Sequence, residues 1–423
     1  MPWVRVSVRR AKLYLLAILS PFLAVFLAIL RPRDPASRNL IWIFVAYFGV
    51  AFYIADDSGA DSVRHATRLV MMHQDSYGFR ELIGQFFAEG SRHQDVFAPL
   101  LTYLVSRLTD QHWLLFGSCA VFLGYFYSRN VWFLIDRIPA RMGLLLIFLV
   151  TAYAFHVNVG STLNGVRMYT ALHVFVFGFL SFRDAGDRRY LLIILLTPFI
   201  HFSFWLPVAV LFGFLLSRQF GSSIYGFFLV SFAGATLDLA IVQALLSYVP
   251  LPIEERASSY IAAAERDPNV MDDRRQSTIW FLRWNHWMLA GFFLLTASWM
   301  VCRGCLRQNG LVRDLLVFGM LLYGVVNMVS YIPSLGRFYS LAEMILLAAL
   351  ILFLASSPLR SRLDRQVFCG AALLLSVNMA LGIRLMLDFA SIWLVVGNFL
   401  VAPFATADES LYDILLWMLR SIG

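Results

Sequence analysis

The chain has 423 residues, of which 60% are hydrophobic and 14% are charged, and its net charge is +8. Soluble domains carry about 25% charged residues, so this composition excludes an ordinary soluble protein and indicates an integral membrane protein. Every basic residue except Lys12 is an arginine. No nucleic-acid partner is needed to explain the positive charge, because basic residues gather in the loops of membrane proteins.

Apolar runs close to the length of a membrane span follow one another along the chain. A helix needs about 20 apolar residues to cross a bilayer, whereas barrel strands alternate over about ten. The pattern therefore predicts an all-α fold, a polytopic transmembrane helical bundle of about 11–14 membrane helices in one domain, residues 1–423. The predicted spans are Leu13–Leu30, Leu40–Ala55, Trp113–Ile135, Met142–Phe155, Met168–Phe182, Tyr190–Ile200, Phe204–Leu216, Ile224–Val249, Trp287–Val301, Leu315–Ile332, Phe338–Ala355, Val367–Leu387 and Ile392–Phe404.

The loops between these runs differ in charge. Short arginine-bearing loops are assigned to the cytoplasm by the positive-inside rule, and they comprise residues 136–141, 183–189, 302–313 and 360–365. Alternation of the spans then predicts an extracytoplasmic position for the remaining polar segments, which are residues 56–111, 156–167, 250–285 and 333–337 together with His201. Residues 56–111 and 250–285 are predicted to contain loop helices. The orientation of Leu13–Leu30 stays open, because the alternation of spans would place the basic N-terminus on the outer side.

Several polar side chains lie where the apolar spans begin. An ionisable residue at membrane depth costs roughly 2.5–3.5 kcal/mol and is therefore a functional candidate. Asn164 and Arg167 are three residues apart at the start of one span, and Arg337 lies at the start of another. These groups suit an anion bound at a helix N-terminus. The alternative is that each arginine simply extends to the membrane interface.

His201 stands between two apolar segments that are each too short to span the membrane. Pro198 and Pro207 each remove a backbone donor, so we expect a helix break near His201. Broken helices at membrane depth survive where they line a cavity or are buried in protein. The imidazole is a candidate general base, or alternatively a buried histidine with satisfied hydrogen bonds.

Two further groups precede the first of these spans. Asp61, Arg64, His65 and Arg68 recur at three- and four-residue spacing, which places them on one helical stripe. This stripe is either a solvated helix face or an acid–base face that binds phosphate. Asp95 is either the cap of the next helix or a catalytic carboxylate.

Metal and cofactor motifs are missing from the sequence. The pair Cys302-x-x-Cys305 has no second pair, and neither H-x-x-x-H nor H-E-x-x-H occurs. We therefore predict no metal and no cofactor.

The order of the polar motifs is characteristic. It runs from Asp61…His65 and Asp95…Pro99-Leu100-Leu101-Thr102-Tyr103 to Asn164-Gly165-Val166-Arg167-Met168-Tyr169, Ile200-His201-Phe202-Ser203 and Gly336-Arg337-Phe338-Tyr339. In this order the chain resembles the EpsG-like branch of the Wzy-type bacterial polysaccharide polymerases. The resemblance covers most of the chain from Asp56 to Tyr339.

The resemblance implies a glycosyltransferase-C-like fold and a glycosyltransferase of the bacterial inner membrane with an extracytoplasmic active site. Its donor and acceptor would both be oligosaccharides linked to polyprenyl pyrophosphate, and it would use neither metal nor nucleotide sugar. Arg167 and Arg337, with Asn164 and Arg64, would bind the donor pyrophosphate. His201, Asp61, Asp95 or His65 would supply the base. The lipid bilayer and a chain-length regulator are the other candidate partners.

Two other classes compete with this interpretation. A membrane-bound O-acyltransferase acting on surface glycan would also place a histidine in apolar surroundings, but it has no need for paired arginines. A flippase or transporter of lipid-linked sugar would concentrate polar groups near the bilayer midplane, often with an internal repeat. No repeat is visible in the sequence.

Overall fold

The computed structural model describes residues 2–54, 60–75, 78–87, 95–139, 142–233, 280–308, 310–330, 335–357 and 361–422. These residues are almost entirely helical, with one isolated antiparallel bridge between Phe52 and Ala390. The helices are α1 Pro2–Leu19, α2 Pro21–Leu30, α3 Ser37–Val50, α4 Asp61–Gln74, α5 Phe79–Phe87, α6 Phe97–Ser106, α7 His112–Ile135, α8 Leu144–His156, α9 Val159–Asn164, α10 Val166–Ala185, α11 Arg189–Leu195, α12 Thr197–Ile200, α13 Trp205–Ser217, α14 Gly221–Ser231, α15 Trp280–Cys302, α16 Leu311–Val329, α17 Tyr339–Ser356, α18 Arg362–Asp388, α19 Trp393–Val396 and α20 Leu411–Ile422.

Five helical stretches in the described part of the chain are long and apolar enough to cross a membrane. They are Leu144–Asn164, Phe202–Ser231, Leu311–Val329, Leu335–Ser356 and Asp364–Asp388. Each overlaps a span expected from the sequence. The prediction of a helical, multi-pass membrane protein is therefore confirmed at this level. Most of residues 250–285 and the second half of Ile224–Val249 lie outside the described residues.

The core is organised around α17. This helix is apolar on nearly all sides, and all its residues from Tyr339 to Leu354 are buried. A helix that is hydrophobic all round must be enclosed by others, and α17 packs against α8, α15 and α16. Its first two turns carry Tyr339 and Glu343, so this central helix brings polar groups to one end of the bundle.

A second core joins the early helices to the C-terminal segment. There α3 runs close to α7 at Gly49, where an added Cβ would lie 2.3 Å from the carbonyl oxygen of Phe116. Phe52 stacks against both Phe116 and Phe389, which ties the end of α3 to the end of α18. Only glycine permits this close approach of the two helices.

Several predicted spans differ from the structure. Tyr190–Ile200 is divided at Leu196, whereas Phe204–Leu216 and the start of Ile224–Val249 join in one helical stretch, Phe202–Ser231. Leu13–Leu30 is divided at Ser20, because Pro21 starts a new helix there. The prediction of a span over Ile392–Phe404 is wrong, since this region forms the four-residue helix α19 and a single 3-10 turn. Gly397 adopts an extended backbone directly after α19, which ends the helix early. The amphipathic helix α20 follows and was not predicted.

The arginine-bearing loops meet at one end of the bundle. Arg33 donates to the carbonyl of Ile138, and Arg137 pairs with Asp184. Arg183 and Arg313 both pair with Asp314, and Arg313 also donates to the carbonyl of Arg218. Arg303 pairs with Asp364 in the next loop. We call this set of contacts the arginine network.

The arginine network lies far from Arg167. Helix α10 has 20 residues, and at about 1.5 Å per residue its ends are roughly 30 Å apart. Arg167 lies in its first turn, whereas Arg183 lies in its last. Arg167 and the arginine network are therefore at opposite ends of the bundle, as the charges of the loops predicted.

Candidate anion-binding site around Arg167

A corner between two helices positions Arg167. Helix α9 is capped by Asn158, whose side-chain oxygen accepts from the backbone nitrogen of Ser161 at 2.8 Å. Gly165 ends α9 and precedes the first turn of α10. This arrangement places Arg167 at a helix N-terminus, where backbone N–H groups favour negative charge.

Asp95 holds the guanidinium of Arg167. Its Oδ2 accepts from Nη1 of Arg167 at 2.7 Å, and its Oδ1 accepts from the backbone nitrogen of Phe202 at 2.7 Å. The Asp95 side chain is 6% exposed, whereas that of Arg167 is 33% exposed. One buried carboxylate thus connects the start of α6, the start of α10 and the chain after α12, and it leaves part of the guanidinium accessible.

Asn164 has a different neighbour. Its Oδ1 accepts from the backbone nitrogen of Ser62 at 3.1 Å, in the first turn of α4. The N-cap residue of that helix, Ala60, has no side chain that can cap it. Asn164 therefore supplies the capping oxygen from another segment and holds α4 beside Arg167.

One residue of the α4 stripe, His65, lies close enough to Arg167 to be affected by its charge. Asp61 and Arg64 form an exposed pair at 3.1 Å, with side chains 33% and 74% exposed. His65 is partly buried, and its pKa is lowered to about 4, first by burial and next by the positive charge of Arg167. His65 is therefore neutral at pH 7 and can accept a hydrogen bond there.

The structure breaks the chain at His201, as predicted. Helix α12 ends at Ile200, His201 is extended, and a 3-10 turn follows at Phe202–Phe204. Nδ1 of His201 lies 2.6 Å from Oγ of Ser203. Because Phe202 donates to Asp95, the His201 loop is tied directly to the Arg167 corner.

Arg337 lies on a neighbouring turn. It belongs to the 3-10 turn Leu335–Phe338 that leads into α17, and its side chain is exposed. The ring of Phe338 packs against that of Phe204 with centroids 5.2 Å apart, which joins this turn to the His201 loop. Within the described ranges Arg337 has no ion-pair partner.

A buried pair near this corner was not anticipated from the sequence. Nε2 of His156 lies 3.0 Å from Oε2 of Glu343, and these side chains are 2% and 4% exposed. The distance is that of an ion pair, although the alignment is not that of a hydrogen bond. The pair lines a cavity of about 230 Å³, together with polar residues that include Asn158, Ser161, Tyr169, Asn285, Ser340 and Asn378. The sequence feature that could have indicated this site is Glu343 itself, because a carboxylate inside an apolar span is a functional candidate.

Metal ligands do not cluster in the described part of the chain, where no three His, Cys, Asp or Glu side chains come together. Comparison with protein-family models, curated proteins and solved structures gives no match to this chain.

The lowered pKa of His65 predicts a dependence of stability on pH. The folded protein keeps His65 neutral down to about pH 4, whereas the unfolded chain takes up the proton near pH 6.5. The unfolded state thus binds more protons in this window, so stability should fall as the pH drops from 6.5 towards 4. In detergent, the thermal midpoint of His65→Gln should fall less than that of the wild type over this range. An equal fall in both proteins would contradict the prediction.

Proposed function

We propose that the protein is a polysaccharide polymerase that joins oligosaccharide repeat units from a polyprenyl-pyrophosphate donor to a lipid-linked acceptor. The observation that carries the proposal is the partly exposed guanidinium of Arg167, fixed by buried Asp95 at a helix N-terminus. This guanidinium lies at the end of the bundle remote from the arginine network. The positive-inside rule supports an extracytoplasmic position for that end. The proposed location is the outer face of the bacterial inner membrane.

The Arg167 corner suits a pyrophosphate chemically. A guanidinium has five N–H donors, and the contact with Asp95 uses Nη1. The remaining donors can bind phosphate oxygens, and the exposed Arg337 can add a second positive charge from the neighbouring turn. Asn164 and Asp95 are then positioning residues, because both already accept backbone or guanidinium hydrogen bonds.

The proposed reaction is glycosyl transfer. The acceptor hydroxyl attacks the anomeric carbon of the donor, the bond from that carbon to the pyrophosphate oxygen breaks, and a base takes the hydroxyl proton. Arg167 would stabilise the negative charge that develops on the leaving pyrophosphate. His201 is the proposed base, since its imidazole lies on the loop tied to Asp95. Asp61 and His65 are the alternative bases.

The test is a comparison of glycans in bacteria with and without the gene. We expect single lipid-linked repeat units to accumulate without the protein, and long polymer to return when the wild-type chain is restored. Loss of an ester group with unchanged polymer length would overturn the proposal in favour of an O-acyltransferase. Trapping of undecorated lipid-linked glycan on the cytoplasmic leaflet would overturn it in favour of a flippase.

A second candidate function is transport of lipid-linked sugar. The buried pair of His156 and Glu343 favours it, because ionisable groups inside membrane spans often mark substrate or proton pathways. The leaflet measurement separates the two functions, since a polymerase acts after the sugar has crossed the membrane.

A further inference from the structure

We infer that the cavity around His156 and Glu343 is a binding site for the uncharged, hydroxyl-rich part of a ligand, of the chemical class of a sugar ring. Naming that ring as part of the donor rests on the proposed function. The binding site itself rests on the cavity alone.

The first argument is size. The cavity measures about 230 Å³. An apolar cavity of about 150 Å³ accommodates a benzene ring, so this cavity has room for one six-membered ring with its substituents. It is a partly open cavity, lined by residues of α8, α9 and α10 and by residues of α15, α17 and α18.

The second argument is the kind of polar group that the cavity offers. Amide and hydroxyl side chains are contributed by Asn158, Ser161, Asn378 and Ser340. No arginine or lysine is found among the described residues that line it. Without a fixed positive charge the cavity is unsuited to phosphate. Its mixture of donors and acceptors instead matches hydroxyl groups, which both donate and accept.

The third argument is unsatisfied bonding. Nδ1 of His156 and Oδ1 of Asn285 are buried without a hydrogen-bond partner in the described part of the chain. The carboxylate of Glu343 is also buried, and its contact with His156 is poorly aligned for a hydrogen bond. Buried polar atoms without partners are costly, so a hydroxyl-rich ligand that pairs with them would bind favourably.

The fourth argument is position. Ser161 and Tyr169 line the cavity and lie on the same helical corner as Asn164 and Arg167. Tyr169 lies two residues beyond Arg167, about 3 Å further along the axis of α10 but on a different face of that helix. A ligand with a charged pyrophosphate and an uncharged sugar would therefore reach the two sites around one helical corner.

The experiment measures binding to the full chain in lipid nanodiscs by native mass spectrometry. One probe is a panel of decyl glycosides of glucose, galactose and N-acetylglucosamine, and the other is decyl pyrophosphate, which has the same tail. Glu343→Gln and His156→Gln should each weaken glycoside binding about tenfold or more, since each removes a bond to a charged or strongly polar group. Both variants should leave pyrophosphate binding unchanged.

The matched control is His173→Gln. His173 is also a buried helical histidine, 1% exposed, but it lies beside Asn130 and does not line the cavity. It should leave glycoside binding unchanged. Should the Glu343 or His156 variants fail to fold, Ser340→Ala and Asn378→Ala remove lining groups without touching an ionisable residue, and they should weaken glycoside binding as well.

The outcomes separate this inference from the proposed function. Absence of saturable glycoside binding by the wild type, or equal binding by all lining variants, would overturn the inference. Selective loss of glycoside binding supports it, even in a protein whose wild-type form builds no polymer. In that last case the proposed function fails and the sugar site stands.

Discussion

Arg167→Ala is expected to lower the rate of polymer formation by about 10²–10³-fold, the usual effect of removing one donor that stabilises charge in a transition state. The rate is measured from lipid-linked repeat units with the protein in nanodiscs. Arg137→Ala is the matched control, because its side chain is 31% exposed against 33% for Arg167, and it also pairs with an aspartate. It lies in the arginine network and should leave the rate within a few-fold of the wild type.

Loss of Arg167 also leaves the buried carboxylate of Asp95 without its partner, so the single variant can lose activity by misfolding. The double variant Arg167→Ala with Asp95→Asn removes both charges and retains an oxygen that can accept from Phe202. If Arg167 contacts the pyrophosphate, the double variant stays inactive although it folds. Recovery of activity in the double variant would show that Arg167 only neutralises Asp95, and our assignment would be wrong.

Asp314→Ala is expected to give the largest loss of stability, about 3–5 kcal/mol, as found when one partner of a buried ion pair is removed. Asp314 pairs with Arg183 and Arg313, whose side chains are only 16% and 13% exposed. Nε of Arg183 already has no partner among the described residues. Both guanidiniums would therefore remain largely buried without their carboxylate partner. The measurement is the thermal midpoint of the purified protein in detergent.

Asp184→Ala is the control for this prediction. Asp184 and its partner Arg137 are 36% and 31% exposed, so water can replace the lost pair and the cost should stay at about 0–1 kcal/mol. Adding Arg183→Met to Asp314→Ala should restore part of the stability, because apolar replacement of a buried charge is tolerated. Equal losses for Asp314→Ala and Asp184→Ala would contradict the assignment of a buried network.

The sequence predicted the features that depend on local composition. Apolar length located the helices around α8, α16, α17 and α18, and the charge of short loops separated the two ends of the molecule. Pro198 was sufficient to expect a break at His201, because the effect of proline on a helix is local. The wrong prediction at Ile392–Phe404 shows that apolar composition alone does not define a span, since the helix there ends before Gly397.

The pairing of side chains could not be predicted, since it depends on contacts between distant segments. The contact of Asp95 with Arg167, which is 72 residues away in sequence, was not anticipated. Nor was the bond by which Asn164 caps α4 across 102 residues. Glu343 is visible in the sequence as a carboxylate in an apolar run, but only the packing of α17 against α8 shows that His156 lies beside it.

The arginine network has a consequence for the order of events in biogenesis. While the chain is being inserted, its loops are separate and each guanidinium is an unpaired positive charge that biases its loop towards the cytoplasm. Once the helices assemble, Arg33, Arg137, Arg183 and Arg303 become tethers between loops. The same residues thus first direct the orientation of the spans and later stabilise the assembled bundle. A second substitution that restores stability can therefore still leave the chain inserted in the wrong orientation.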